Sequence, residues 1–171
     1  MKKLVLLLLL LSFTFTVSAQ KTLIKQKAQE CSNALLKGDY NTVIKFTYPK
    51  ILPKGKSKQQ LLNDIKTGMG QMAAQGVSFK SVTIGQPGEI YTAGTELHAL
   101  IPQSLTLSIN GGTLKTQTNL LAISPDKGKT WYFMEAAKLT AATKKQLFPN
   151  WNSKLIIPPA SQPQFSQSSV K

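Results

Sequence analysis

Between Leu105 and Ala136 the chain reads as three strands joined by two tight turns. Leu105, Leu107 and Ile109 alternate with Thr106 and Ser108, the period-two pattern of a strand with one buried face. Asn110-Gly111-Gly112 supplies the residues a hairpin reversal needs, and Pro125-Asp126-Lys127-Gly128 supplies a second turn. Strands in hairpin succession form an antiparallel meander, and its apolar face must be buried against another layer. The alternation extends back through Leu97, Ala99 and Ile101. This predicts one long strand from about Glu89 to Ile109, interrupted at Thr92-Ala93-Gly94 and bent at Pro102. Before the turn at Gln86-Pro87-Gly88, Val77 and Phe79 share one parity while Val82 and Ile84 share the other. That slip of one residue predicts a bulge near Lys80-Ser81.

The last two strands are apolar on both parities, through Leu120 to Ile123 and Trp131 to Met134. Such strands need cover on both faces. Helices supply one side. The other is left to a partner subunit, a bound ligand, or the segment Thr140 to Ile157 with Leu147, Phe148, Trp151, Leu155 and Ile156.

The helices come first in the chain. Leu23, Ile24, Ala28, Cys31 and Leu35 make one helical stripe over Thr22 to Leu36, ended by Gly38. Asp39 is placed to cap a short second helix, Tyr40 to about Phe46, which Pro49 and Pro53 stop. Lys50-Ile51-Leu52 reads as a short strand or a loop. Ser57 with Gln60 forms a capping box for a third helix, whose buried stripe is Leu61, Leu62, Ile65, Met69 and Met72. Gly68 and Gly70 weaken that helix by about 1 kcal/mol each relative to alanine, unless they admit a neighbouring backbone. Gly76 ends it. The expected class is α+β, with N-terminal helices on a curved antiparallel sheet.

The first 19 residues read as a secretory signal peptide: Met1-Lys2-Lys3, an apolar core from Leu4 to Val17, and small residues at Ser18-Ala19. The expected organisation is a leader over 1–19, one domain over 20–157, and a disordered Ser/Gln/Pro tail over 158–171. The protein is then expected to be exported, to the periplasm or outside the cell, with no membrane-spanning segment in the mature chain. Cys31 is the only cysteine, so no internal disulfide forms, and it reads as a small buried residue of the first helix. The net charge is +14, falling to +12 once Lys2 and Lys3 leave, and every basic residue is lysine. Bidentate readout of guanine or phosphate is mainly arginine chemistry, so a nucleic-acid partner is not expected. The lysines read as a solvated surface, with adhesion to anionic envelope surfaces as the alternative.

Ala34-Leu35-Leu36-Lys37-Gly38-Asp39-Tyr40-Asn41-Thr42-Val43-Ile44, then Gly55 to Ile65, then Gly128-Lys129-Thr130-Trp131-Tyr132-Phe133 resemble, in order, the opening helices, third helix and closing strand of nuclear-transport-factor-two-like proteins. These are also called SnoaL-like or cystatin-like cone proteins. The resemblance covers about residues 22 to 138. It implies a sheet wrapped by helices into a cone, a pocket at the open end, and a homodimer through the outer sheet face. The family's ketosteroid-isomerase-like enzymes need a carboxylate base just after the second helix. Here that segment is Phe46-Thr47-Tyr48-Pro49-Lys50, without an acid.

The chemistry available is sparse. One histidine, one cysteine and seven acids make no zinc set, and no loop has phosphate-binding glycine spacing, so no metal or cofactor is expected. Candidate acid–base groups are His98, Glu135 and Tyr48. Glu96 and His98 lie two apart on one strand face, and that pair reads as solvent-facing. Tyr40, Tyr48, Met72, Phe79, Trp131 and Phe133 are the candidate lining of a pocket, or ordinary core. The leading expectation is a non-enzymatic binding or accessory domain for a small apolar or amphipathic ligand. A small-molecule enzyme of isomerase or dehydratase type is the alternative.

Overall fold

In the computed structural model residues 2–167 are described, with side chains from Val17 onward. The side chains of most of the expected leader, and residues 168–171, lie outside the described residues. The backbone forms helices α1 (Lys2–Leu36), α2 (Tyr40–Phe46), α3 (Lys58–Ala74) and α4 (Ala141–Leu147). The strands are β1 (Ser78–Ile84), β2 (Tyr91–Ala93), β3 (Glu96–Ile109), β4 (Gly112–Ser124), β5 (Tyr132–Glu135) and β6 (Gln164–Gln167). The first helix starts well before Thr22, because the chain has no glycine or proline until Gly38 to break it. From Val17 onward no helix is long and apolar enough to cross a membrane.

The helix ends follow their caps. Asp39 Oδ1 accepts from Thr42 N–H at 3.2 Å. Ser57 Oγ accepts from Gln60 N–H at 3.2 Å while Gln60 Oε1 accepts from Ser57 N–H at 2.7 Å, closing the capping box. Pro49–Ile51 is a single 3-10 turn. A Cβ on Gly68 or Gly70 would meet nothing within 4 Å, so no backbone approaches there.

The sheet is antiparallel and open, built on the long β3–β4 hairpin. Each outer edge of that hairpin carries two short strands end to end. Along β3 lie β1, against Gln103 to Ser108, and β2, against Glu96 to His98. Along β4 lie β5, against Leu120 to Ile123, and β6, against Gly112 to Lys115. The register slips between Phe79 and Ser81, where the parity change placed the bulge. The expected interruption at Thr92-Ala93-Gly94 is instead a reversal: Ala93 pairs with Glu96, and Gly94 takes φ +66°. The loop is only Gly94-Thr95 and inverts the parity, so that Tyr91 and His98 share a face; so short a break does not stand out in the sequence from a continuing strand.

Two apolar cores sandwich the sheet. On the helix face, Ile24, Ala28, Phe46, Val82, Ile84, Ala99, Ile101, Ala122, Trp131 and Phe133 pack together. On the outer face, Leu121, Ile123 and Met134 pack under Tyr48, Phe148 and Leu155, with Leu147 and Trp151 alongside. Of the three covers left open by the sequence, the C-terminal segment is the one seated, though Ile156 points outward at 78 % exposure. It occupies part of the face through which the resemblance implies a dimer.

The tail also departs from expectation. Segment 158–171 lacks a side-chain pattern, yet Gln164–Gln167 forms β6. Its partner is the free edge of β4, whose unpaired N–H and C=O groups offer a backbone ladder to an extended chain.

Candidate functional site

The polar groups converge at the base of the outer-face core. Strand β3 places Glu96 and His98 on one face, and the 3-10 turn after α2 brings in Tyr48 and Lys50. His98 Nε2 lies 3.1 Å from Glu96 Oε2. Tyr48 donates its hydroxyl hydrogen to Glu96 Oε1 at 2.8 Å, and Lys50 Nζ donates to the same oxygen at 3.1 Å. His98 is 0 % exposed, so the expected solvent-facing pair is a buried one. The cause is across the strand: His98 sits opposite Ile123, in the two-sided apolar run. Aromatic rings wall it in, Phe148 edge-on at 4.9 Å and Trp151 at 5.5 Å, while Phe148 stacks on Tyr48 at 5.4 Å.

The electrostatics follow from burial and partners. Burial holds the His98 imidazole below its ordinary value, against the pull of Glu96. Burial pushes Glu96 up, but hydrogen bonds from His98, Tyr48 and Lys50 outweigh it and leave the carboxyl below its ordinary value. Tyr48 is raised by burial. Lys50 is raised by Tyr48 first, with Glu96 adding to it against burial. With Glu96 ionised, His98 Nε2–H is the donor, and the buried Nδ1 has no partner among the described residues. The adjoining cavity, of about 90 Å³, is lined by Lys50, Thr95, Glu96, His98, Phe148 and Asn150 among others. It has room for waters and none for a ring-sized substrate.

Glu135 stands apart on the helix face. Gln103 Nε2 donates to its Oε2 at 2.8 Å, and its buried Oε1 has no hydrogen-bond partner among the described residues. Burial raises this carboxyl, and Thr118, the Ala137 N–H, Lys138 and Gln103 pull only partly the other way. The three candidate acid–base residues therefore divide, Tyr48 and His98 together through Glu96, Glu135 across the sheet.

The candidate pocket lining divides as well. Trp131 and Phe133 lie in the helix-face core and Tyr48 in the outer-face core. Tyr40, Met72 and Phe79 are half-buried. Trp131 borders a groove of about 200 Å³ between α1 and α2, with Leu23, Lys27, Lys45, Phe46 and Lys129.

Comparison of the chain with family models, curated proteins and solved structures finds no match. Among the described residues no group of three or more His, Cys, Asp or Glu side chains could hold a metal ion.

A site that sequence reasoning only half located lies at the far end of the helix face. Phe79, Leu107, Leu114 and Phe165 stand directly opposite one another across β1, β3, β4 and β6. None belongs to either core, the first three being half-buried and Phe165 56 % exposed. Helix α3 packs chiefly on α2 and β1, so this four-strand row is not closed over. Phe79 carried the signal; the row needed the register, and Phe165 lay in the segment expected to be disordered.

Proposed function

We propose that this is an exported, non-catalytic binding module that holds an amphipathic ligand against the open end of the helix face. The observation that carries this reading is the apolar row Phe79–Leu107–Leu114–Phe165, left partly in water. Contiguous apolar surface left in water is a mark of a binding face. The strands that carry the row bring Lys80, in the bulge next to Phe79, and at that end no acid, which favours an anionic headgroup on the ligand. Export rests on the leader-like first 19 residues. The reading also draws on the nuclear-transport-factor-two-like resemblance, whose order of helices and then an antiparallel meander this chain has. Catalysis by Tyr48 and His98 is the second reading, favoured by their shared contact with Glu96. The burial of His98 beside a water-sized cavity weighs against it.

The test is calorimetric titration with dodecanoate and, separately, dodecanol. We expect dodecanoate to bind more tightly than dodecanol, Leu107→Asn to weaken binding at least tenfold, and His98→Asn to leave the affinity unchanged in the folded fraction. Dodecanoate affinity indifferent to Leu107→Asn would sink the binding reading. Native mass spectrometry of protein from its own host then identifies the resident ligand by its mass.

A further inference from the structure

Strand β6 is a short outer strand of the sheet. All four of its residues are exposed. Its hold on β4 is backbone pairing, from Gly112 opposite Gln167 to Lys115 opposite Gln164. Upstream, Ser161 grips the same edge: its N–H and its hydroxyl each donate to the Gln117 carbonyl at 3.1 Å, and its Oγ accepts from Gln117 N–H at 2.9 Å. Gly112 is what lets the tail come this close. A Cβ there would stand 2.2 Å from the Ser166 carbonyl oxygen and 2.9 Å from the Phe165 ring. Past Leu155 and Ile157 the connection runs through Pro158-Pro159 and Pro163 with exposed residues throughout. Proline-rich chain is stiff and extended, so residues 158–163 act as a spacer of about 20 Å.

We propose that the β4 edge from Gly112 to Gln117 is a strand-acceptor site that takes the tail of a second copy of this chain, forming a tail-exchanged dimer. The occupant follows from the seat. The strand that fits this edge, down to the clearance over Gly112, is this chain's own tail, and a second copy carries the same one. Exchange replaces each edge hydrogen bond by its equal, and no residue of either core has to move. A two-fold exchange also closes on itself and leaves no unpaired seat. The tether keeps each tail at an effective concentration on the order of 1 mM at its own edge. Exchange therefore grows as the protein approaches that concentration.

The test uses two full-length variants, Lys115→Cys and Gln164→Cys, each with Cys31→Ser so that no other thiol competes. Residues 115 and 164 are direct partners in the strand pairing, so a disulfide between copies reports one tail on the other copy's edge. The folded proteins are mixed at about 1 mM without denaturant and oxidised. We expect a disulfide-linked pair several-fold above the level obtained when the acceptor also carries Gly112→Val. A donor with Ser153→Cys in place of Gln164→Cys gives the collision background should the Gly112→Val chain fail to fold. Cross-linking equal to either background, or undiminished at a hundredfold lower concentration, overturns the proposal.

Discussion

Glu96 and Glu135 lie on opposite faces of one sheet, and the two faces treat a carboxylate oppositely. Burial pushes both up. On the outer face three donors from three residues meet Glu96 and hold it down. On the helix face Glu135 has one oxygen on Gln103 and the other buried without a partner among the described residues, and it stays raised. Burial alone thus does not set the direction of a carboxylate; whether the donors and charges around it outweigh that burial decides the sign. The satisfied one is a structural anchor: it ties β3 to the turn after α2, beneath the aromatic cover.

The hardest blow to this arrangement is removal of the cover. Phe148 is 3 % exposed and touches Tyr48, His98 and Trp151. Phe148→Ala should cost about 3–5 kcal/mol, as large core truncations do, read from the urea midpoint. Because it opens His98 and Glu96 to water, it should also flatten the acid dependence of stability. A loss under about 1 kcal/mol would mean that the C-terminal segment does not cover this face in solution.

Next in size is Glu96→Gln, which keeps the shape and removes the charge. Charge-assisted hydrogen bonds contribute about 1.5–3 kcal/mol, and a loss near 2 kcal/mol is expected. The pH signature is sharper. His98 is held below its ordinary 6.5, so the unfolded chain binds the proton more readily. Its contribution is whole above that value and is lost as pH falls below it. Glu96, held below its ordinary 4.5, adds a further loss at lower pH as it too is protonated. Thermal melts should therefore fall steadily from pH 7 downward, and Glu96→Gln should remove the lower part of that fall. An unchanged slope below pH 5 in the variant would place the acid sensitivity elsewhere.

The mirror experiment is Glu135→Gln. A raised folded value has the opposite sign: its contribution is present below the ordinary 4.5 and is lost as pH rises through the folded value. At pH 7, above the ordinary carboxylate range, the raised Glu135 is a cost, so the amide should be neutral or stabilising by up to about 1 kcal/mol. That gain should vanish below about pH 4. Destabilisation at pH 7 would show that the charge, and not the shape, is needed there.

The difference between these faces was only partly legible in the sequence. Most short-range chemistry read well: the Asp39 and Ser57–Gln60 caps, the bulge beside Lys80, the Asn110-Gly111 turn and the two-sided strands all depend on residues a few positions apart, while the reversal at Gly94 was read as a break within one strand. The pair Glu96–His98 was visible from its spacing, but its burial was not, because that depends on Ile123 across the hairpin and Phe148 fifty residues on. Tyr48 and Lys50 were missed as its third and fourth members for the same reason, since the turn around Pro49 gives no hint of what it docks against. Strand β6 left no trace because a backbone ladder on a free edge needs no pattern.

The finest test of the comparison removes one donor of three. Lys50 is half exposed, with its side chain at 55 % and that of Glu96 at 13 %, so solvent screens the pair. Lys50→Met should cost no more than about 1 kcal/mol, the range of exposed ion pairs. Yet Glu96 should shift upward, towards the condition of Glu135, because Tyr48 and His98 alone then oppose its burial. The His98 imidazole should rise with it, since Lys50 is one of the charges that keep it neutral. NMR titration of the Glu96 side-chain carbon and the His98 ring would show both moves in one series. If Glu96 holds its place without Lys50, two buried donors suffice and the lysine is an ornament of the surface. If it climbs, the anchor depends on a charge held at the water's edge, and its strength should weaken with added salt where that of the buried Tyr48 bond does not.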